Sequence, residues 1–168
     1  MGYGLRAWRL EDAPALREAI DNKNIQNNLR DGLPCPYTLR DAEEYIQTTL
    51  AAPEGSQYAF AITADDAAIG SIGVFRQGNI HRQSAEMGYY IAQPYWGKGI
   101  GTWAVTEACR RAFENTDLLR IFAEPFATNA ASCRVLEKAG FALEGILRKN
   151  AVKNGVILDM KLYAKVRE

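Results

Sequence analysis

Residues 96–102 read Trp-Gly-Lys-Gly-Ile-Gly-Thr, and this short segment decides how the rest of the chain is interpreted. Its alternate glycines stand between an apolar, alternating run at 84–91 and a helical pattern at 101–115. Glycine lets a main chain approach a ligand closely, and the first amides of a helix point outward and favour negative charge. The segment therefore predicts an anion-binding loop at the junction of a strand and a helix.

The two common nucleotide-binding glycine patterns do not describe this loop. GxGxxG would need a further glycine at Thr102, and GxxxxGK[ST] would need its lysine after the glycines, whereas Lys98 lies between them. A glycine-rich turn without a ligand is the alternative, and the regular helix that follows disfavours it.

Hydrophobic periodicity and turn signals predict the other elements. Strands are expected at 5–10, 58–64, 68–76, 84–91, 118–124, 142–152 and 156–166. Helices are expected from Asp12, from Thr38 with Asp41 as a capping box, at 101–115 and at 129–139, with an irregular segment at 21–37. This order predicts an α/β fold with one mixed, mostly antiparallel sheet of six or seven strands and helices on both faces.

The composition is that of an ordinary globular protein. Its 168 residues correspond to one domain, expected to span residues 1–168. With 48% hydrophobic and 24% charged residues, disordered, collagen-like and coiled-coil classes are excluded. Lys+Arg and Asp+Glu both number 20, so the charge gives no indication of a nucleic-acid partner, and none is expected.

The cysteine and histidine content argues against a metal site and against a disulfide-stapled secreted fold. Cys35, Cys109 and Cys133 show no CxxC spacing, and His81 is the single histidine. The chain opens without a charged-then-apolar leader and contains no apolar run of about 18 residues. We expect a protein with no metal and no membrane association, in a reducing, cytoplasmic environment.

A second segment, residues 129–141, has the pattern of a capped amphipathic helix. Asn129 is a favoured N-cap residue, and Gly140 is a favoured residue just after a helix. These two roles leave Ser132 unexplained, because it puts a hydroxyl in the first turn on the apolar face. Such a serine either satisfies a local main-chain group or points at a ligand.

Together the two segments resemble the GNAT superfamily of acyl-CoA-dependent N-acetyltransferases. The glycine segment is similar to the family's pyrophosphate motif [QR]xxGx[GA], and the Asn129 segment is similar to its second cofactor motif. The similarity spans essentially the whole chain and is greatest to the branch that contains the ribosomal-protein N-terminal acetyltransferases. The segments concerned are Pro36-Tyr37-Thr38, Glu86-Met87-Gly88-Tyr89, Tyr95-Trp96-Gly97-Lys98-Gly99, Asn129 to Phe141, Glu144-Gly145 with Arg148, and Asp159 with Tyr163.

The resemblance implies a GNAT-like fold with acetyl-CoA as co-substrate. Main-chain groups of Tyr89, Tyr90 and Ile91 would pair with the pantetheine arm and polarise the thioester carbonyl. Asn129 would fix the far side of that arm, and Ser132 would be a further cofactor-binding residue. The loop that would hold the pyrophosphate consists of Trp96, Gly97, Lys98, Gly99, Ile100, Gly101 and Thr102.

Two departures from the family pattern matter for the chemistry. Trp96 stands where most members have Gln or Arg, although main-chain amides would still bind the pyrophosphate. Many members have a proton-donating Tyr seven residues after the Asn, and Leu136 occupies that position here. Ser132 is then the nearest matching candidate to assist the departing CoA thiolate.

Two carboxylates are candidates for the base that accepts a proton from the amine. Glu86 lies on the strand that approaches the cofactor site, and the alternative is an ion pair with a nearby Arg or Lys. Asp159 is the second candidate. The turn at 154–155 sets it opposite Asn150, and a salt bridge with Arg148 is the favoured alternative.

The cost of deprotonation favours an α-amine as acceptor. At pH 7 an α-amine with a pKa of about 7.9 costs about 1 kcal/mol to deprotonate, whereas a lysine at about 10.4 costs about 4.6 kcal/mol. A site without an obvious strong base therefore suits a protein N-terminal α-amine. The segment 21–38, with Tyr37 near the mouth, is expected to wall the entrance for this acceptor.

Several other functions are compatible with the same residues. They are acetylation of a small-molecule amine such as an antibiotic, polyamine or amino acid, transfer of a related acyl group, non-catalytic acyl-CoA binding, and unrelated nucleotide binding. Consumption of a thioester separates the enzymes from the binding proteins, and competition between CoA and ATP tests the last. A monomer and a homodimer are both compatible with the sequence.

Overall fold

The computed structural model describes residues 2–168. The strands are β1 (Tyr3–Arg6), β2 (Gln57–Ala64), β3 (Ala67–Arg76), β4 (Ser84–Ile91), β5 (Arg120–Ala123), β6 (Ala142–Lys153) and β7 (Val156–Val166). The helices are α1 (Ala13–Ile20), α2 (Lys23–Gln26), α3 (Leu39–Leu50), α4 (Ile100–Asn115) and α5 (Ala130–Lys138). Short 3-10 turns cover Leu10–Asp12, Asn79–His81 and Gln93–Tyr95.

All the strands belong to one mixed sheet in the order β1-β2-β3-β4-β5-β7-β6. The pair β4–β5 is parallel, and every other neighbouring pair is antiparallel. A parallel pair requires a crossover, which α4 supplies between these two strands. The predicted α/β fold with a mixed, mostly antiparallel sheet is confirmed.

Two apolar clusters pack the helices onto opposite faces of the sheet. Ile62 belongs to the cluster that contains residues of α4 and α5, whereas its neighbour Ala61 belongs to the cluster that contains residues of α1 and α3. Successive side chains of a strand point to opposite faces, so the helices cover both sides. In β4, Tyr89 packs against the first cluster and Tyr90 against the second.

The sheet opens between its two parallel strands. β4 pairs with β3 over Ala85 to Ile91, but its pairing with β5 covers only Ser84 to Glu86. Gln83 O accepts from Leu119 N on the β5 side, and Ala92 N donates to Ile69 O on the β3 side. Main-chain groups alternate along a strand, so those of Tyr89 point into the opening.

The start of α3 matches its sequence signal, whereas the end of β1 does not. Asp41 and Thr38 form the predicted capping box, because Asp41 N donates to Thr38 Oγ1 while Thr38 N donates to Asp41 Oδ2. The predicted first strand at 5–10 is wrong at its end: it stops at Arg6, and Leu10 begins a 3-10 turn.

The segment predicted to be irregular contains a short helix. Residues 23–26 form α2, which Asn22 caps by accepting from Asn24 N at 2.8 Å. Its single turn gives no periodic signal, which explains why the pattern missed it. In the part of the chain that the structure describes, no helix is long and apolar enough to cross a membrane.

Candidate active site

Two cavities meet where β4 and β5 separate. One, of about 570 Å³, extends toward α1 and the segment 28–33. The other, of about 500 Å³, extends toward the start of α4 and along α5. The residues that line both are Asn28, Leu29, Tyr89, Tyr90, Asn129 and Ser132. We call the first the acceptor cavity and the second the loop cavity.

The glycine segment leaves a row of main-chain amides without partners. Within residues 2–168, none of the main-chain amides from Gly97 to Thr102 donates a hydrogen bond, and the first helical amide that does is Trp103 N, to Gly99 O at 3.2 Å. Gly97 and Gly99 have φ angles of 74° and 78°, which a residue with a Cβ adopts only with strain. These amides line the loop cavity, as an anion-binding site requires.

Side-chain charge in the loop cavity has one sign. Lys98, Arg134 and Lys138 line it, and its lining contains no carboxylate among the described residues. Lys98 Nζ lies 5.4 Å from the ring centre of Tyr95. The cations and the start of a sixteen-residue helix together favour a ligand with several negative charges.

Trp96 has a structural contact that its sequence position did not reveal. Its indole Nε1 donates to Ile91 O at 2.7 Å, so this side chain fixes the loop to the end of β4. The Ile91 carbonyl and the Ala92 amide are therefore engaged within the protein. Of the β4 groups expected to contact a pantetheine arm, the main-chain groups of Tyr89 remain directed into the opening.

Gly101 serves packing as well as amide exposure. A Cβ at this position would lie 3.4 Å from Val135 Cγ2 and 3.5 Å from Ile91 Cδ1. The missing side chain therefore lets α4 approach α5 and β4 closely. A large side chain here would disturb the fold, so Gly101 is a poor position for testing anion binding by mutation.

Asn129 caps α5, as its position predicts. Its Oδ1 accepts from Ser132 N at 3.2 Å. The side-chain nitrogen Nδ2 of Asn129 has no partner among the described residues, and Asn129 lines both cavities. Asn129 thus combines the local role with a free donor on the shared wall.

The Ser132 hydroxyl contacts a tyrosine rather than its own helix. Ser132 Oγ lies 3.1 Å from Tyr89 Oη, and both residues line both cavities. Burial raises the pKa of Tyr89, and the hydrogen bond with Ser132 opposes this increase. Leu136 is buried, so no hydroxyl is presented from that position.

The structure brings Glu86 to the acceptor cavity and pairs it with an arginine. Arg30 Nη1 donates to Glu86 Oε1 at 3.1 Å, and Nη2 donates to Oε2 at 2.6 Å. The same Nη2 lies 3.8 Å from Glu124 Oε2. The ion pair that the sequence left as an alternative is therefore present, and Glu86 is engaged in this arrangement.

The third carboxylate that lines the acceptor cavity, that of Asp31, is engaged too. Asp31 Oδ1 accepts from Lys153 Nζ at 2.8 Å, which joins this segment to the hairpin of β6 and β7. Asn154 Nδ2 donates to Asn27 Oδ1 at 3.1 Å and strengthens the same contact. The carboxylates lining the acceptor cavity thus all lie within ion-pair distance of a cation.

Asp159 lies apart from both cavities and has a different partner from either predicted one. The pairing of β6 with β7 is interrupted between Leu147 and Ala151. The predicted register, which set Asp159 opposite Asn150, is therefore wrong. Asp159 Oδ1 accepts from Lys149 N at 2.8 Å, where Lys149 has a φ of 54°. The carboxylate stabilises this bulge, and the described residues show no salt bridge between it and Arg148.

Tyr37 lies inside the protein and not at the mouth of the cavity. Only 4% of its surface is exposed, and burial raises its pKa to about 12. It still lines the acceptor cavity, as does the segment from Asn28 to Leu33.

The sequence did not reveal Arg30 and Glu124 as residues of the site, because ion pairs between distant segments leave no local pattern.

The chain matches the family model described as Acetyltransferase (GNAT) domain over residues 3–142. In Bacillus subtilis (strain 168), "Probable N-acetyltransferase YjcK" is 39% identical over 159 residues, covering 88% of this chain and 87% of that protein. "Putative ribosomal N-acetyltransferase YdaF" of the same strain is 34% identical over 176 residues, covering 97% and 90%.

Solved structures agree with this assignment. Mycobacterium smegmatis RimJ in complex with CoA-disulfide superposes with a TM-score of 0.86 at 25% identity, covering 98% of this chain and 81% of that one. The extent of the family match, the relatives and the open strand pair beside a free-amide loop lead to one conclusion. The chain belongs to the GNAT family and is an acetyl-CoA-dependent acyltransferase.

Proposed function

We propose that the protein transfers an acetyl group from acetyl-CoA to the α-amine of a protein N-terminus. The observation that supports this most is the engagement of Glu86, Glu124 and Asp31 by Arg30 and Lys153 in the acceptor cavity. A site whose carboxylates are all engaged suits an amine that is easily deprotonated. At pH 7 an α-amine needs about 1 kcal/mol for this step and a lysine about 4.6 kcal/mol.

The loop cavity fits the cofactor by charge and by geometry. The free amides from Gly97 to Thr102 would hold the pyrophosphate, with Lys98, Arg134 and Lys138 nearby for the remaining phosphate charge. The main chain of Tyr89 and the side-chain nitrogen Nδ2 of Asn129 would contact the pantetheine arm. Bound acetyl-CoA would supply an acetyl thioester at the wall that the two cavities share.

The residues of the shared wall have separate proposed roles. Tyr90 and Ile91 continue the β4 wall beside Tyr89, and the indole of Trp96 holds the loop against it. Ser132 would donate a hydrogen bond to the sulfur as the thiolate leaves.

Glu86 is the proposed proton acceptor for the amine, directly or through a water. It lines the acceptor cavity, and only 22% of its side chain is exposed. The Arg30 side chain is 64% exposed, so water would take the place of its guanidinium at one carboxylate oxygen when the amine binds. Asp159 is not retained as a proposed base, because its carboxylate binds the bulge at Lys149.

The similarity to YdaF supports a protein acceptor but does not identify one. Acetylation of a small-molecule amine uses the same cofactor site and is therefore an outcome of the acceptor experiment below. A protein that binds acetyl-CoA without turnover is a second outcome, which release of free CoA thiol would exclude.

Thr102→Glu is expected to weaken CoA binding about tenfold to a hundredfold, since a carboxylate near the pyrophosphate repels it by roughly 1–4 kcal/mol. An acidic residue is favourable in the first turn of a helix, so the thermal midpoint should not fall. Isothermal titration calorimetry with CoA measures the change. Thr106→Glu, one turn further along α4, is the matched control and should bind CoA nearly as well as wild type. Unchanged affinity in Thr102→Glu would contradict the proposed phosphate site.

Acceptor preference is tested with two peptides of matched sequence. One has a free α-amine and no lysine, and the other has a blocked N-terminus and one internal lysine. The first should be acetylated with a kcat/KM about 10² higher, because its deprotonation at pH 7 costs less. Free-thiol release measures both rates, with spermidine as a third acceptor. Preference for lysine or for spermidine would overturn the α-amine proposal.

Glu86→Gln should lower kcat/KM roughly 10²-fold and remove the acidic limb of the pH profile, because it removes the proton acceptor. Glu144→Gln is the control, since it breaks another two-bond pair, with Arg120 at 2.6 and 2.8 Å, outside both cavities. A profile of unchanged shape in Glu86→Gln would show instead that Glu86 only anchors Arg30.

A further inference from the structure

The proposed cofactor contacts of β4 do not involve the side-chain hydroxyl of Tyr89. Those contacts come from the main chain of Tyr89, whereas its side chain crosses to α5, where Oη lies 3.1 Å from Ser132 Oγ. Among the described residues, neither hydroxyl has another hydrogen-bond partner. The two hydroxyls therefore form an isolated pair on the wall that the acceptor cavity and the loop cavity share.

The hydroxyl pair lies beside α5, which lacks the tyrosine expected at position 136. The family resemblance leads us to expect a tyrosine at position 136, but Leu136 is buried in the core there. Tyr89 supplies a phenol to the same wall from the neighbouring strand. Its ring packs in the cluster beneath α4 and α5, which fixes the direction of the hydroxyl.

The chemistry of the two hydroxyls sets the direction of the bond between them. A phenol is more acidic than an aliphatic alcohol, so Tyr89 is the better donor and Ser132 the better acceptor. A serine hydroxyl that accepts from Tyr89 keeps its own hydrogen for a third group. In the shared wall that group would be the sulfur of the bound thioester.

We propose, resting on the proposed acetyl transfer, that Tyr89 is a positioning residue whose hydroxyl donates to Ser132 and thereby directs the Ser132 hydrogen at the CoA sulfur. The order is Tyr89 Oη–H to Ser132 Oγ, and Ser132 Oγ–H to sulfur. Tyr89 therefore acts on the reaction only through Ser132.

No proton needs to leave either hydroxyl. The amine nitrogen forms the new C–N bond, the C–S bond breaks with its electron pair on sulfur, and the amine proton goes to Glu86 or to solvent. A thiol has a pKa of about 8.5 and a tyrosine one of about 10, so a thiolate does not take the phenolic proton. Burial raises the pKa of Tyr89 further, which keeps its proton in place. The pair would therefore stabilise the thiolate by oriented hydrogen bonds.

A double-mutant cycle tests this dependence. Tyr89→Phe, Ser132→Ala and the double variant are compared with wild type in kcat at saturating acetyl-CoA and peptide. Ser132→Ala should lower kcat about tenfold to a hundredfold, and Tyr89→Phe about fivefold to tenfold. The double variant should match Ser132→Ala within about twofold, because Tyr89 has no effect once Ser132 lacks its hydroxyl.

Two further measurements distinguish a positioning role of Tyr89 from a purely structural one. CoA affinity by calorimetry should change less than about threefold in Tyr89→Phe, so that the loss appears in kcat and not in binding. Tyr58→Phe removes a phenol that packs against the same cluster but lines neither cavity, and it should leave kcat unchanged.

Three results would overturn the inference. They are multiplicative losses in the double variant, full kcat in Tyr89→Phe, and a Tyr89→Phe defect confined to CoA binding. Each of these presupposes an active wild type and leaves the acetyl transfer standing. A wild type that binds CoA but releases no thiol with any amine would instead refute the proposed function and this inference with it.

Discussion

Strand β4 has one complete partner and one partial partner, and the site depends on this difference. Its pairing with β3 continues to Ile91, but β5 leaves it after Glu86 and Phe122. A main-chain group that faces a gap must find another hydrogen-bond partner or remain open to solvent or a ligand. Trp96 satisfies the Ile91 carbonyl, and the main chain of Tyr89 is left facing the gap.

The same gap explains why both cavities exist and why they meet. The loop that follows β4 turns through glycines with positive φ into α4, which leaves the first amides of α4 without a partner in the described part of the chain. α5 then covers the α4 side of the gap, and the segment 28–33 covers the opposite side. A ligand that lies along β4 from the loop cavity would thus present its reactive end to the acceptor cavity.

Charge divides the two cavities. The loop cavity has Lys98, Arg134 and Lys138 without a carboxylate among its described lining residues. Among the described residues, three carboxylates line the acceptor cavity, and Arg30 is its single cationic lining residue. The charge of the loop cavity favours an anionic cofactor, and that of the acceptor cavity favours an amine.

Much of this organisation was predictable from the sequence, and the exceptions have physical causes. The glycine segment, β4 and the Asn129 cap are local patterns, and each appears where the pattern predicts. The bulge that engages Asp159 was not predictable, because a hairpin turn fixes the register only as long as the ladder is regular. The pair of Tyr89 and Ser132 joins a strand to a helix 43 positions away, a separation at which periodicity contains no information.

Amide chemical shifts during titration with CoA test the free-amide site most directly. The backbone amides of Gly97, Gly99 and Thr102 should shift strongly and saturate together with the bound fraction. Pantetheine, which lacks the pyrophosphate, should shift Tyr89 while those three amides stay in place. Saturating CoA binding that leaves the amides of residues 97–102 unshifted would contradict the proposed cofactor site.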